Sequence, residues 1–140
     1  MSKEAKVGRI IVARLRENED LMQEIMRIVR EKEVSAGQIM VIGALSKARF
    51  GVYVNGEYKI IEVSGHLEIV SCIGNISEDD EGKIIHAHIS IAGEDGVCHG
   101  GHLMSGCIIN PTAELTIIEG ENLKLLRKYD PKTKLKMLQP

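Results

Sequence analysis

Apolar positions in this chain recur with two periods, and the helical one occurs in a single place. Leu21, Ile25, Ile28 and Val29 form an i, i+4, i+7, i+8 stripe that Met22 and Met26 widen. This spacing predicts one principal helix over about residues 19–35. Glu17-Asn18-Glu19-Asp20 ahead of it supplies acidic groups and an N-cap, and Gly37 offers a stop. The rest reads as strands parted by turn residues. Gly8 to Leu15 (GRIIVARL) is a first strand, and Gln38 to Ala44 and Ala48 to Val54 are two more. Asn55-Gly56, set between Val54 and Tyr58, is the strongest hairpin signal. Tyr58 to Val63 and Leu67 to Ile73 form either one long bent strand or two. An acidic loop follows from Glu78 to Gly82, then a strand from Ile84 to Ile91 and a turn at Glu94-Asp95-Gly96. Val97 to Ile109 is a glycine-interrupted strand region, and Thr112 to Ile118 is a late strand after Pro111.

One helix among many antiparallel strands predicts an α+β fold, an antiparallel β-sheet with the helix packed on it. Residues 1–7 are polar and read as a frayed N-terminus, and residues 8–120 read as the domain proper. Residues 121–140 read as a basic C-terminal extension, with six Lys or Arg against two acids. That extension is expected to be solvated or an edge strand rather than a phosphate-binding arm.

Composition narrows the function classes. Aromatic residues make up 3% of the 140 positions and Trp is absent, so the core must be built from Ile, Val, Leu, Met and Ala. A formal charge of -2 provides no general attraction to nucleic-acid phosphates. Cys72, Cys98 and Cys107 form no CxxC pair, and no signal-peptide pattern opens the sequence, so a reducing, cytoplasmic location is expected. The apolar runs fall short of a membrane span.

The candidate chemistry lies in His86-Ala87-His88 and His99-Gly100-Gly101-His102. On a strand, Ile85, Ala87, Ile89 and Ile91 face the core, while His86, His88 and Ser90 face the other way. Two imidazoles then stand roughly 6.5–7 Å apart at Cα by strand rise, a separation that lets both reach one ion at metal–nitrogen distances of about 2.0–2.1 Å. His102 is the best third ligand, since Gly100-Gly101 allows a bulge or a close backbone approach. His99 sits beside the turn and is a weaker candidate. Three histidines with an open position describe a ligand-accepting or catalytic site for zinc or a similar divalent ion. The alternative is a set of ordinary surface or interface histidines. Cys98 and Cys107 read as buried structural thiols more than as soft ligands. Glu68 and Glu114 are lone carboxylates inside strands. Glu68 is the candidate base or outer partner of a metal, and Glu114 ranks behind it.

Several segments occur together in an order that resembles a known family: GRIIVARL, IGAL (Ile42 to Leu45), the stretch from Glu68 that ends in Ile73-Gly74-Asn75, HAHIS (His86 to Ser90), GGHL (Gly100 to Leu103) and TAELTI (Thr112 to Ile117). The chain is similar to the PPC domain, the plant and prokaryote conserved domain, of the stand-alone prokaryotic type. HxH followed by GGH is the specific part. The resemblance implies a compact domain with an antiparallel sheet and a flanking helix, assembled as a homotrimer, with a metal site at His86, His88 and His102. His99 is outside that motif. In plant relatives the domain follows AT-hook segments that bind DNA. No Arg-Gly-Arg-Pro core occurs in these residues, so direct DNA binding and a membrane role are not expected here. The expectation is a trimeric metal-binding domain that accepts water or a small-molecule ligand, with catalysis left open. The alternative is an oligomerisation or interaction module whose histidines, or whose metal, serve the subunit interface.

Overall fold

The computed structural model describes residues 2–139. Its elements are β1 (Val7–Leu15), α1 (Leu21–Glu31), β2 (Gly37–Val54), β3 (Glu57–Asp79), β4 (Gly82–Ala92), β5 (Cys98–Leu103), β6 (Ile108–Gly120), β7 (Leu126–Asp130) and β8 (Leu135–Gln139). The architecture is sheet-dominated, with one short helix on an otherwise antiparallel sheet; the β3–β7 contact alone is parallel. Strand order is β1-β6-β2-β5-β4-β3-β7-β8, and β2 also pairs with β3. That extra pairing closes β2, β3, β4 and β5 into a ring.

The ring begins at the turn the sequence marked. Asn55 and Gly56 both adopt positive φ, 53° and 89°, as a two-residue hairpin loop requires. From it β2 and β3 run paired from Val54↔Glu57 to Gly37↔Ile76. The two strands expected at Gln38 to Ala44 and Ala48 to Val54 are one strand of 18 residues. Their apparent gap is a register shift between Leu45 and Lys47, where a bulge bends the strand without ending it. Of the two readings for Tyr58 to Ile73, the one long bent strand holds: β3 is a single strand of 23 residues whose backbone turns to positive φ at Gly65.

The helix is shorter than its apolar stripe suggested. Asp20 is the N-cap and its carboxylate accepts from Gln23 N at 3.0 Å. The stop is Glu33, at φ 51°, with Val34 N donating back to Val29 O. Gly37 is therefore not the stop. It belongs to β2, where a Cβ would lie 2.4 Å from Ile118 O, so its lack of a side chain serves strand packing.

Helix residues Leu21, Ile25, Ile28 and Val29 pack into one core with Ile39, Val41, Leu45, Leu115 and Ile117. Phe50 is the sole aromatic residue there, as the composition required. Ile85, Ala87, Ile89 and Ile91 are all buried, which puts β4 in the expected phase. The C-terminal segment is an edge hairpin, β7–β8, joined to β3 at Glu78↔Leu126.

Glu24 is the charged exception in the core, 1% exposed. Its carboxylate accepts from Arg16 at 2.6 Å and from Arg27 at 2.8 Å, and also from the Arg16 backbone N–H. The bonds from Arg27, followed by those from Arg16, outweigh desolvation and pull its pKa down to about 2. A depressed carboxylate stabilises the fold above the unfolded value of 4.5, and that stabilisation fades as pH falls from 4.5 towards 2. Glu24→Gln is expected to lose about 2 kcal/mol at pH 7, because the arginines keep donors without a charge to meet. In urea unfolding, the gap between Glu24→Gln and the unsubstituted protein should shrink as pH drops through that window.

Candidate metal centre

The ring geometry brings three histidines to one place. His86 and His88 lie two residues apart on β4, on the face turned away from the core. His102 on β5 is the direct cross-strand partner of His88. Beyond it, His102 is opposite Gly51 of β2, and Asn75 of β3 is opposite His86. The imidazole centroids form a near-even triangle: 5.4 Å for His86–His88, 5.0 Å for His86–His102 and 5.7 Å for His88–His102. One ring nitrogen from each lies within 4.8 Å of the others.

The Gly100-Gly101 pair acts by close approach and not by a bulge. Pairing runs unbroken through Ser90↔Gly100 and Ile89↔Gly101. A Cβ on Gly101 would stand 2.5 Å from Gly51 O, so only glycine lets β5 seat against β2. Gly51 leaves room for the Tyr58 ring in turn, and Tyr58 lies against His102 with centroids 4.9 Å apart.

The electrostatics favour neutral rings. His86 is pushed down to about 4, first by burial and then by the charge of Arg127 and the other two histidines. His102 is also lowered, by burial first and then by His88 and Arg127. Near neutral pH both rings are therefore uncharged, the state a metal ligand needs. His102 Nδ1 is buried without any hydrogen-bond partner. An orphaned imidazole nitrogen on a member of a three-histidine cluster is a donor an ion could satisfy, so the residues present fit a metal.

Arg127, from the extension expected to be solvated or an edge strand, is the residue that sequence reasoning missed. Its Nη2 lies 3.1 Å from His86 Nδ1 and 3.0 Å from Asn75 Oδ1. Its Nε donates to Ser77 Oγ at 2.8 Å and its Nη1 to Lys136 O at 3.0 Å. A cavity of about 220 Å³ opens beside the triangle, lined by Tyr58, His86, His102, Arg127, Leu135 and Met137. A lone Arg in a basic tail carries no sequence signal of this placement.

The other candidates lie elsewhere. Glu68 pairs with Ala92 and Ala44, four residues along β4 from His88, about 13 Å of strand rise away. The structure does not bring it to the histidines, because the ladder that carries both holds them apart. Glu114 lies on β6 between Arg14 and Ile42, outside the ring. His99 pairs with Ile91, and strand alternation turns it to the face opposite His102. Cys107 is the buried thiol expected: its Sγ donates to Arg49 O and accepts from Arg49 N, and burial pushes it up to about 11. Cys98 is exposed, a correction that follows from its place at the open end of β5.

Fold and site together define a class: a closed antiparallel-sheet domain with a three-histidine cluster on the outer face of its ring. Residues 2–121 match the model of the Plants and Prokaryotes Conserved (PCC) domain, and the chain belongs to that family. A metal-containing protein from Archaeoglobus fulgidus has a TM-score of 0.91 at 31% identity, with 100% of both chains covered. A plant- and prokaryote-conserved protein from Pyrococcus horikoshii has a TM-score of 0.90 at 30% identity, covering 100% of this chain and 97% of that one. The bifunctional protein GlmU of Synechococcus sp. (strain JA-3-3Ab) is 32% identical over 126 residues, which are 89% of this chain and 19% of that protein. The chain thus spans about one fifth of the length of this curated relative.

Gly101→Ala is expected to cost about 1–3 kcal/mol, since the added methyl forces β5 off β2. Thermal unfolding measures that cost, and loss of the Tyr58–His102 contact in imidazole NMR spectra would show the ring opening.

Proposed function

We propose that this chain is a homotrimeric metal-binding domain, with zinc or a similar divalent ion held by His86, His88 and His102. One observation carries the reading: three imidazole nitrogens within 4.8 Å of one another, with His102 Nδ1 buried and unpartnered. The similarity to a metal-containing protein over the full chain supports it. Three protein ligands leave a coordination position for water or a small-molecule ligand, and the cavity beside Tyr58 and Arg127 provides access to it. A divalent ion held this way supplies Lewis acidity and lowers the pKa of bound water. Around it, Tyr58 and Asn75 shape and anchor the pocket; Glu68 stands too far along the ladder to act there directly.

Assembly is supported by the outer sheet face. Val12 and Ile10 on β1, Ile42 on β2 and Ile73 on β3 are all exposed there, Val12 at 72% and Ile73 at 52%. Register links them into one surface, through Val12↔Thr116, Thr116↔Met40 and Met40↔Ile73, and His88 stands across from Ile73. An apolar face of this extent fits burial between copies. It also favours the second reading, an interaction module in which the histidines serve the interface. Among the described residues no helix is long and apolar enough to cross a membrane. A net charge of -2 gives no general attraction to DNA phosphates, so direct DNA binding is not expected of this function. The free thiols Cys72, Cys98 and Cys107 suit a cytoplasmic setting.

Protein purified without a His-tag is expected to carry about one zinc per chain by elemental analysis, given a three-ligand site. His88→Ala should lose that metal, and a wild-type content near zero after zinc loading would end the metal reading. Light scattering before and after chelation separates the two roles. A trimer that survives chelation supports the ligand-accepting site, while one that falls apart supports the interface module.

A further inference from the structure

His86 has a single lone pair to offer, and two groups claim it. A neutral imidazole carries a proton on one ring nitrogen and a lone pair on the other. Arg127 Nη2 stands 3.1 Å from His86 Nδ1, and a guanidinium only donates. The contact therefore requires the lone pair at Nδ1 and the proton at Nε2. A metal also requires a lone pair at the nitrogen it binds. Ligation through Nδ1 displaces Arg127. Ligation through Nε2 sends the proton to Nδ1, where it would meet the Arg127 N–H head-on. Turning the ring by half a revolution removes Nδ1 from Arg127 altogether. Every route to a His86–metal bond breaks the Arg127–His86 hydrogen bond.

This partner is of the wrong kind for a loaded site. Metal-binding histidines ordinarily give their second ring N–H to a carboxylate, a carbonyl or water. His86 faces a donor, and one that carries a positive charge. The donor belongs to a hairpin with a narrow attachment: β7 joins β3 at one residue pair, Glu78↔Leu126. Arg127 supplies part of the remaining hold through Ser77 and Asn75, aided by Lys136 ion pairs to Asp79 and Glu81 and by the Tyr53 hydroxyl donating to Thr133 O. The hairpin also lies beyond residues 2–121, the part that matches the family.

We infer that Arg127 is a positioning residue that holds His86 in its Nε2–H tautomer, so that the Arg127–His86 hydrogen bond and metal loading at the histidine triangle oppose one another. The inference rests on the three-histidine reading above. Release of His86 leaves Arg127 its bonds to Asn75 and Ser77, so the hairpin stays attached.

Two measurements on the full chain test this. Imidazole 15N spectra of metal-free protein should show His86 protonated at Nε2, and Arg127→Gln should return it to a mixture of tautomers. A wild-type His86 protonated at Nδ1 would overturn the assignment whatever the histidines bind. Zinc competition against a chromophoric chelator supplies the second measurement. Arg127→Gln, which can accept from an Nδ1–H, should bind zinc at least about 10-fold more tightly, the scale on which outer partners tune metal affinity. Arg127→Lys remains a pure donor and should bind as the wild type does. Hydrogen exchange of residues 126–139 in metal-free Arg127→Gln checks that the hairpin stays folded. Equal or weaker zinc binding by Arg127→Gln with the hairpin protected would overturn the antagonism. Failure of both proteins to take up zinc would overturn the metal reading and the antagonism with it, while the tautomer result stands or falls separately.

Discussion

The pairing of β5 against β2, at Phe50↔Leu103 and Gly51↔His102, is the contact on which the rest of this structure depends. Without it, β2, β3, β4 and β5 would be an open sheet, and Tyr58 would have no fixed place against His102. The contact is short, and Gly101 permits it by letting a strand backbone pass where a Cβ would lie 2.5 Å from a carbonyl oxygen. The core follows from the same closure, because Phe50 and Leu103, both buried, are its inner partners. One backbone approach thus closes the inside of the ring and seats Tyr58 against the histidines on its outside.

The site gathers positive charge with no acid to balance it. The half-buried imidazoles of His86 and His102 and one guanidinium line a small cavity, His88 stands exposed beside them, and the lining residues include no carboxylate. Burial keeps the His86 and His102 rings neutral, and Arg127 reinforces that by its charge. Neutral rings have lone pairs, which makes the triangle a donor set for a cation. Arg127 spends one of those lone pairs within the protein itself, so the same residue that keeps the ring neutral also competes for it.

Legibility in the sequence was uneven, for physical reasons. Period-2 alternation placed Ile85, Ala87, Ile89 and Ile91 inside and His86 and His88 outside, because strand geometry alone decides that phase. Asn55-Gly56 marked its turn because few residue pairs accept two positive φ angles in succession. Strand continuity was not legible: β2 runs through the shift at Leu45 that looked like a break, since pairing with β3 on one side and β6 on the other carries it across. The helix end was misplaced because Glu33 adopts the left-handed region more usual for glycine, and Gly37 has a packing role instead.

By itself the sequence determined the period of each segment, the aromatic-poor core, the faces of the β4 strand and the membership of the HxH and GGH motifs in one family. Those properties are local, set within a few residues by backbone geometry and side-chain type. Only the tertiary structure decided that His102 stands across from His88, that Glu68 is held four ladder positions away and that Arg127 returns from a basic tail to His86. The first two depend on the register of paired strands and the third on a hairpin that returns from 41 residues along the chain, and register is set by the summed pairing and packing of the whole sheet.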